Sequence, residues 1–211
     1  MSSVVISGDT SGSITLSAPA VSGSSVLTLP VATDTLAGIA ATQTLTNKSI
    51  VATQLTGTIA AARLPAGSVL QVIQSHITGK ASTSSTSKTI LATSASITPS
   101  SASNKIKFTL FTIIGNDGAT GNADFDIIRT VGATNTTMAG SDFNKQGTTD
   151  AYQYDAFAWS GLDTPATTSA VTYSIRGVRT DGLATPFVGG RATDSSYTSP
   201  GVMFILEEVA A

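Results

Sequence analysis

The first 64 residues of the chain contain no aromatic side chain, although the remaining sequence has twelve, all at or after Phe108. Gly and Pro divide this segment into short pieces in which apolar and polar residues alternate, a pattern typical of β-strands. A chain of about 60 residues buries only about 60% of its surface on folding, and here only small and aliphatic side chains can be buried. Residues 1–64 are therefore predicted to form a thin β stem that packs against copies of itself or against a larger body. Its four charged residues are Asp9, Asp34, Lys48 and Arg63.

Three alternating stretches of the stem are predicted to be strands, at residues 3–7, 13–17 and 25–29. The sequences SGSITLSAPA and SGSSVLTLPV look like two copies of one unit, about 11 residues apart. Ordering each residue costs about 1.5 kcal/mol, which this segment must offset without aromatic burial. Burial of apolar surface against other copies of the chain, or against another protein, is therefore expected to offset the entropy cost of ordering the stem.

The sequence after the stem has the pattern of a larger β domain. Residues 65–67 (PAG) are predicted to be a hinge, and residues 68–211 a globular C-terminal knob. Turn segments rich in Gly, Asn, Asp and Ser separate short alternating stretches, and no amphipathic helix is predicted. This spacing favours an all-β fold, an antiparallel β-sandwich of the jelly-roll type. The predicted strands of the knob are residues 68–78, 89–92, 95–98, 105–114, 123–131, 135–139, 151–160, 170–179, 183–188 and 201–208.

Low charge and the absence of cysteine exclude several classes of function. Charged residues make up 11% of the chain, against about 25% in typical globular domains, and the net charge is −2. Nucleic acid is therefore not predicted as a partner. Without cysteine there can be no disulfide and no thiolate metal site, and no cofactor is predicted. The sequence shows neither a signal peptide nor the run of ~18 apolar residues that spans a membrane, so membrane insertion is not expected.

Several stretches of the sequence resemble bacteriophage proteins. Residues 11–38 resemble the N-terminal segments of many phage tail-fibre and virion-surface proteins, and ATQTLTNKSI, at 41–50, resembles their recurring TQTLTNKT-type motif. LTGTIAAARLPAG, at 55–67, resembles the SGTI-ARLP motif that precedes a distal domain. GSVLQVIQSHIT, ITPSSASNKI and the closing VMFILEEVAA together resemble a C-terminal β-domain of small phage fibre and decoration proteins. None of these modules is a catalytic signature.

The resemblance implies an intertwined homotrimer, in which three chains wind into a shaft and end in a globular tip. Because the predicted stem begins at Met1, we expect no large N-terminal docking domain of the kind found in long tail fibres, and this expectation favours a short capsid-bound spike. We therefore expect a non-enzymatic capsid decoration (cement or head-spike) protein, made in the bacterial cytoplasm and placed on the virion surface. Its stem would bind the major capsid protein or another virion protein. The alternative is a short tail fibre whose knob binds a host receptor or glycan, and a glycan-degrading tip enzyme is a more distant alternative.

No catalytic residue is assigned from the sequence. His76 is the only histidine, and no G-x-S-x-G nucleophile motif accompanies it. It shares a predicted strand face with Leu70 and Val72, so a partly buried, hydrogen-bonded structural role is predicted. The only glutamates, Glu207 and Glu208, are adjacent and would point to opposite faces of a strand, which does not suit a catalytic carboxylate pair.

One cluster of acidic side chains lies at residues 115–126. Asp117, Asp124 and Asp126 offer the oxygen ligands that calcium prefers, and they are weak candidates for a metal site. Their spacing does not match an EF-hand loop. A strand-connecting loop is the preferred interpretation, because such loops also require Gly, Asn and Asp.

An aromatic cluster, Tyr152, Tyr154, Phe157 and Trp159, lies within one predicted strand. Because aromatic rings stack on sugars, Tyr152, Tyr154 and Trp159 are candidates for contact with a host glycan or receptor. In a continuous strand the two tyrosines face one side, and Phe157 and Trp159 face the other. Packing in the core or between subunits is the preferred interpretation, since large aromatic side chains supply much of the buried area of a core.

Overall fold

The computed structural model describes residues 3–7, 10–17, 49, 51, 56–57, 59–117, 121–146, 152–181, 183, 185–190 and 199–211. The chain divides into two compact units, Met1–Thr56 and Gly57–Ala211. Residues 57–64, which the sequence analysis places in the stem, belong to the second unit. The predicted strand at residues 25–29 lies outside the described residues.

The first unit contains a two-stranded antiparallel sheet of β1 (Ser3–Ser7) and β2 (Ser13–Ser17), paired along their whole lengths. Both strands have the predicted bounds. Val4, Val5 and Ile6 alternate between the two faces of β1, and they are 62%, 57% and 55% exposed. A two-stranded sheet alone is at best marginally stable in water, so these side chains need a further surface to cover them.

The described part of the second unit contains eleven strands and one 3-10 turn, Ala61–Arg63. No helix in this part is long and apolar enough to cross a membrane. In chain order the strands are β3 (Val69–Ile77), β4 (Ala81–Ser82), β5 (Thr89–Thr93), β6 (Lys105–Asp117), β7 (Asn122–Val131), β8 (Thr134–Thr137), β9 (Phe143–Gln146), β10 (Tyr152–Asp163), β11 (Val171–Arg179), β12 (Pro186–Val188) and β13 (Val202–Val209).

These strands form two antiparallel sheets. In the larger sheet β6 is central, with β10 along one edge and β13 followed by β12 along the other. Strand β3 pairs with β13, and β4 pairs with β12. In the smaller sheet β11 lies between β5 and β7, and β8 and β9 both lie on the far edge of β7. Within the described residues, β10 and β8 are therefore edge strands of the two sheets.

The inward-facing side chains of the two sheets meet in one apolar core. Phe108 of β6 stacks on Tyr173 of β11 with ring centroids 4.7 Å apart, and this contact joins the larger sheet to the smaller. Phe143 of β9 stacks on Phe125 of β7 at 5.6 Å and on Phe157 of β10 at 4.2 Å. The unit is thus an all-β, antiparallel sandwich, which confirms that part of the predicted fold class.

Some predicted strands differ in extent from the observed ones. Residues 95–98 form only an isolated bridge, at Ile97 opposite Val171. The ladder is interrupted because the hydroxyl of Ser94 accepts the backbone N–H of Tyr173 at 3.0 Å, in place of a strand carbonyl. Strands β4 and β9 were not predicted: β4 has only two residues, and β9, Phe143–Gln146, has one apolar residue among three polar ones, so neither shows an alternating pattern.

Glu208 of β13 is 1% exposed and accepts a dense set of hydrogen bonds. Its Oε1 accepts from the backbone N–H and the hydroxyl of Ser100, both at 2.7 Å, and from Nδ2 of Asn104 at 2.6 Å. Its Oε2 accepts from Nε2 of Gln71 at 2.6 Å. Burial alone would raise the pKa of Glu208, but these hydrogen bonds outweigh it and hold that pKa below its usual value. The carboxylate ties the loop before β6 to strands β3 and β13.

The predicted hinge at residues 65–67 and the residue after it form backbone hydrogen bonds with Ala210. The N–H of Gly67 donates to the carbonyl of Ala210 at 2.9 Å, and the N–H of Ala210 donates to the carbonyl of Ser68 at 2.9 Å. The chain therefore enters the sandwich beside its C-terminal residues.

Candidate interaction surfaces

Strands β3, β13, β6 and β10 turn alternate side chains away from the core, and we call this surface the outer face. One row across it, in register, consists of His76, Met203, Phe111 and Ala158. Phe111 is 42% exposed although its strand is the central one of the sheet, so the centre of this face is apolar and uncovered within the described residues. Further rows of the outer face are Gln74, Ile205, Thr109 and Ser160, then Val72, Glu207, Lys107 and Leu162, and then Val69, Val209 and Lys105.

The charges of the outer face lie together at one end. Lys107 and Glu207 form an ion pair at 2.6 Å, and Lys105 lies in the next row, nearer to the C-terminal residues. Val72 and Leu162 flank this pair in the same row and are 55% and 57% exposed. The outer face therefore combines exposed apolar side chains with one ion pair, and it also carries the exposed Lys105 in the neighbouring row.

His76 lies at the opposite end of this face, beside a shallow cavity of about 510 Å³. Its side chain is exposed, so the prediction of partial burial is wrong. The reason is that β3 turns Ile73 and Ile77 toward the core, which leaves His76 on the outer side. Its Nε2 lies 2.8 Å from the carbonyl oxygen of Pro200, within hydrogen-bonding distance. Phe111 and Met203 also line the cavity, so its character is apolar.

A second cavity, of about 430 Å³, lies between the edge strands β8 and β10, and we call it the edge cleft. Thr136 and Thr137 line it from β8, and both are exposed. Trp159 and Asp163 line it from β10. The edge cleft thus joins one edge of each sheet, and residues with hydroxyl, carboxyl and aromatic side chains line it.

Asp163 is held in place by two partners beneath the edge cleft. Arg129 Nη1 donates to both of its carboxylate oxygens, at 2.8 Å and 3.0 Å, and the hydroxyl of Tyr173 donates to Oδ2 at 2.8 Å. Burial, and then the charge of Asp163, raise the pKa of Tyr173, so its hydroxyl stays a donor. Arg129 Nη2 also lies 3.4 Å from the hydroxyl of Thr136, which connects the charged group to the wall of the cleft.

Trp159 is half-buried in the wall of the edge cleft. Its ring stacks on Phe108 with centroids 4.5 Å apart, and its Nε1 donates to the carbonyl of Gly140 at 3.3 Å. A Cβ at Gly161 would lie 2.5 Å from the indole, so only glycine fits there beneath the ring. The indole is therefore fixed in one position before any ligand arrives.

The other two aromatic candidates cannot be placed beside Trp159. Tyr152 and Tyr154 belong to β10, but their side chains lie outside the described part of the structure. Phe157 is partly buried against Phe143, in agreement with the preferred packing interpretation for this residue. Of the three proposed glycan contacts, only Trp159 is described with its surroundings.

The three weak calcium candidates each have a nitrogen partner. Asp117 forms an ion pair with Lys80 at 2.8 Å, and Asp124 accepts from Nδ2 of Asn144. Among the described residues, no group of three or more His, Cys, Asp or Glu side chains is arranged to hold a metal ion.

Asp126 is buried beside two cations. It accepts from Nε of Arg176 at 2.9 Å, and Nζ of Lys88 lies 3.2 Å from its Oδ2. Burial alone would raise the pKa of Asp126, but Arg176 and Lys88 outweigh it and lower that pKa. The described contacts of this carboxylate are those of a structural ion pair.

The glutamates occupy opposite faces of β13, as predicted. Glu207 pairs with Lys107 on the outer face, whereas Glu208 is buried among its hydrogen-bond donors. Arg129 and Asp163 were missed as site residues. The available signal for Arg129 was a charged residue inside the predicted strand at residues 123–131, whereas Asp163 lies beyond the predicted strand at residues 151–160 and gave no such signal.

Comparison with known proteins assigns no family to the chain. No protein-family model matches it, and no curated protein does. Among solved structures, a chain in the structure of infectious bursal disease virus, Gx strain, matches with a TM-score of 0.37 and 10% sequence identity. The match covers 74% of this chain and 41% of the viral one, so it spans less than half of that chain. A likeness at this score does not place the sandwich in a fold family.

Proposed function

We propose that this chain is a non-enzymatic structural protein of a bacteriophage virion, a homotrimeric decoration protein that attaches to the capsid through its N-terminal stem. The motifs at residues 11–38, 41–50 and 55–67 support the proposal, because they resemble structural modules of phage virion-surface proteins. The β-sandwich is then the knob that projects from the particle.

The observation that carries this proposal is the uncovered sheet of β1 and β2. Val4, Val5 and Ile6 expose apolar surface on both faces of a two-stranded sheet, and no aromatic residue occurs before Phe108 to cover it. Burying a side chain of this kind contributes about 1.5–3 kcal/mol. A stem with these properties gains its order from neighbouring copies and from the shell on which it docks.

The outer face of the sandwich supports association of the knobs. Phe111 and Met203 give it an apolar centre, and Lys107 and Glu207 neutralise each other within it. Burial of this surface against another copy therefore leaves no uncompensated charge from that pair, which is the usual obstacle to burying charged surface. The partner that fits is a further copy of the chain.

The mechanism of decoration is mass action. A protein that binds the assembled shell but not its dissociated subunits stabilises the shell by RT ln(1 + [L]/Kd) per site. At a free concentration of 100 Kd this amounts to about 2.7 kcal/mol per site. Many sites on one shell multiply the effect without any chemical reaction.

Removal of the stem should abolish attachment but leave the sandwich folded. A fragment consisting of the second unit, Gly57–Ala211, keeps every contact of the core described above, and a β domain of this size buries about two-thirds of its chain surface. Phage particles that lack the protein would be mixed with the full chain or with the fragment and then sedimented. We expect the full chain to sediment with the particles and the fragment to remain in the supernatant.

Immunogold labelling of intact virions is the companion measurement, and it should label the capsid. If the fragment sediments as well as the full chain does, the attachment surface lies in the knob and the stem projects. Labelling at the tail tip would instead support the second candidate function, a short tail fibre whose knob binds a host glycan. The edge cleft, with Trp159 in its wall, is the observation that favours this second candidate.

A further inference from the structure

The edge cleft has the size and position of a small-molecule site. Its volume of about 430 Å³ falls within the ~300–1,000 Å³ that is typical of such sites. It lies at the side of the sandwich, between β8 and β10, and its lining includes Ser160 and Leu162 at the β10 edge of the outer face. Phe111, at the centre of that face, does not line the cleft.

The polar groups of the edge cleft suit a ligand that carries several hydroxyls. The hydroxyl of Thr136, on the side of Arg129, can both donate and accept, and the carboxylate of Asp163 only accepts. The Nε of Arg129, whose guanidinium holds Asp163, is the one buried side-chain nitrogen or oxygen without a hydrogen-bond partner among the described residues. Arg129 does not itself line the cleft; it acts there through Asp163, whose carboxylate it holds.

The charges of the edge cleft favour a neutral ligand. Asp163 and Arg129 form a close ion pair, with side chains that are 9% and 17% exposed. An anionic ligand would compete with Asp163 for the guanidinium, and a cationic ligand would compete with Arg129 for the carboxylate. A neutral hydroxyl can share both partners without breaking the pair.

The apolar wall of the edge cleft is formed by Trp159. Trp159 is fixed by its stacking on Phe108 and by the hydrogen bond to Gly140, so it offers apolar surface without a cost for ordering the side chain. A sugar ring presents C–H groups on one side and hydroxyls around its edge. This combination matches an aromatic wall that faces hydroxyl and carboxylate groups.

We propose that the edge cleft binds a neutral saccharide, with Trp159 against the sugar ring and with Asp163 and Thr136 bound to its hydroxyls. This inference names the ligand class and the contacts of the site that favours the second candidate function, and it rests on that candidate and not on attachment through the stem. The sandwich would act as a carbohydrate-binding module, whether the protein is attached to the capsid or to the tail.

A glycan array that presents neutral and acidic saccharides tests the proposal with the full-length protein. We expect binding to neutral saccharides, with affinity then measured by calorimetry on the free sugar. Ala139→Arg places a large side chain at the cleft and should weaken binding by about tenfold or more, which is ~1.4 kcal/mol. Ala133→Arg is the matched control, because Ala133 is also exposed, lies at the other end of β8 and does not line the cleft.

A second matched pair tests the hydroxyl contacts. Thr136→Val removes a hydroxyl from the cleft wall and should weaken binding severalfold, whereas Thr134→Val, also exposed on β8, should leave it unchanged. The molar mass in solution should be the same for all four variants, which separates this proposal from the one on self-association. Binding to acidic saccharides alone, equal losses in Ala139→Arg and Ala133→Arg, or an array without any bound saccharide would each overturn the proposal.

Discussion

Replacement of Glu208 by Ala should lower the free energy of unfolding of the sandwich by about 3 kcal/mol or more. The change removes the acceptor of four hydrogen bonds and leaves the donors of Ser100, Asn104 and Gln71 without it. A hydrogen bond to a charged group contributes about 1.5–3 kcal/mol, and a buried donor left unpaired costs about 1–3 kcal/mol. The neighbouring change, Glu207→Ala, removes only a surface ion pair with Lys107 and should cost less than about 1 kcal/mol.

Urea denaturation of the two variants, followed by circular dichroism, measures this difference. The pair is closely matched, because the residues are identical and adjacent and differ only in the face of β13 that they occupy. Equal effects of the two changes would contradict the assignment of Glu208 as the residue that holds the loop before β6.

The same carboxylate should make stability depend on pH. The pKa of Glu208 is lower in the folded chain than its unfolded value of about 4.3, so its contribution is complete above that value. The contribution is lost as the pH falls through the folded pKa. Asp126 acts in the same direction, because Arg176 and Lys88 lower its pKa. The melting temperature should therefore drop below about pH 4, and Glu208→Gln should show a shallower drop than the wild type.

Replacement of Phe111 by Asp should convert the proposed trimer into monomers. The change puts a carboxylate at the centre of the outer face, where association would bury it without a partner. An uncompensated buried charge costs about 3–5 kcal/mol, which weakens association by a factor of more than about a hundred. Phe111 is 42% exposed in the single chain, so the fold itself should tolerate the change.

Light scattering after size-exclusion chromatography measures this effect directly. The wild type should have about three times the chain mass of 21.2 kDa, and Phe111→Asp about one chain mass. Ile90→Asp is the control, since Ile90 is 48% exposed but belongs to β5 in the smaller sheet. A wild-type monomer with an ordered stem would contradict the trimer, and an unchanged trimer in Phe111→Asp would move the contact elsewhere.

Strand patterns were predictable where the alternation is strong and the strand is long. Strands β1 and β2 have their predicted bounds, and the strand predicted at residues 105–114 is β6, which continues to Asp117. The extension was missed because Gly115 and Asn116 resemble a turn in sequence. In the structure Asn116 is buried, and Thr185 donates its backbone N–H to the Asn116 side chain at 3.0 Å, so the ladder continues past the apparent turn.

Side-chain orientation was harder to predict than strand position. Strand β3 has apolar residues on both of its faces, with Val72 on one side and Ile73 on the other, so the alternation could not show which side faces the core. The error for His76 follows from this ambiguity. The edge cleft was beyond sequence reasoning because it requires β8 and β10, which do not pair, to lie beside each other in space.

The pairing of β3 with β13 has a consequence for how the chain is made. Gln71 and Glu208, which bond across these strands, are 137 residues apart in sequence. Strands far apart in sequence lose the entropy of loop closure before their hydrogen bonds and apolar contacts can form. Sheets of this kind therefore fold slowly. The larger sheet also cannot be completed until β13 has left the ribosome, which adds residues at about 5–20 per second. During that interval β3 has no partner strand. Neighbouring nascent chains on the same messenger RNA also carry an unpaired β3. The time needed to synthesise the residues from β3 to β13 therefore sets a lower limit on how long each chain is open to misassembly with its neighbours.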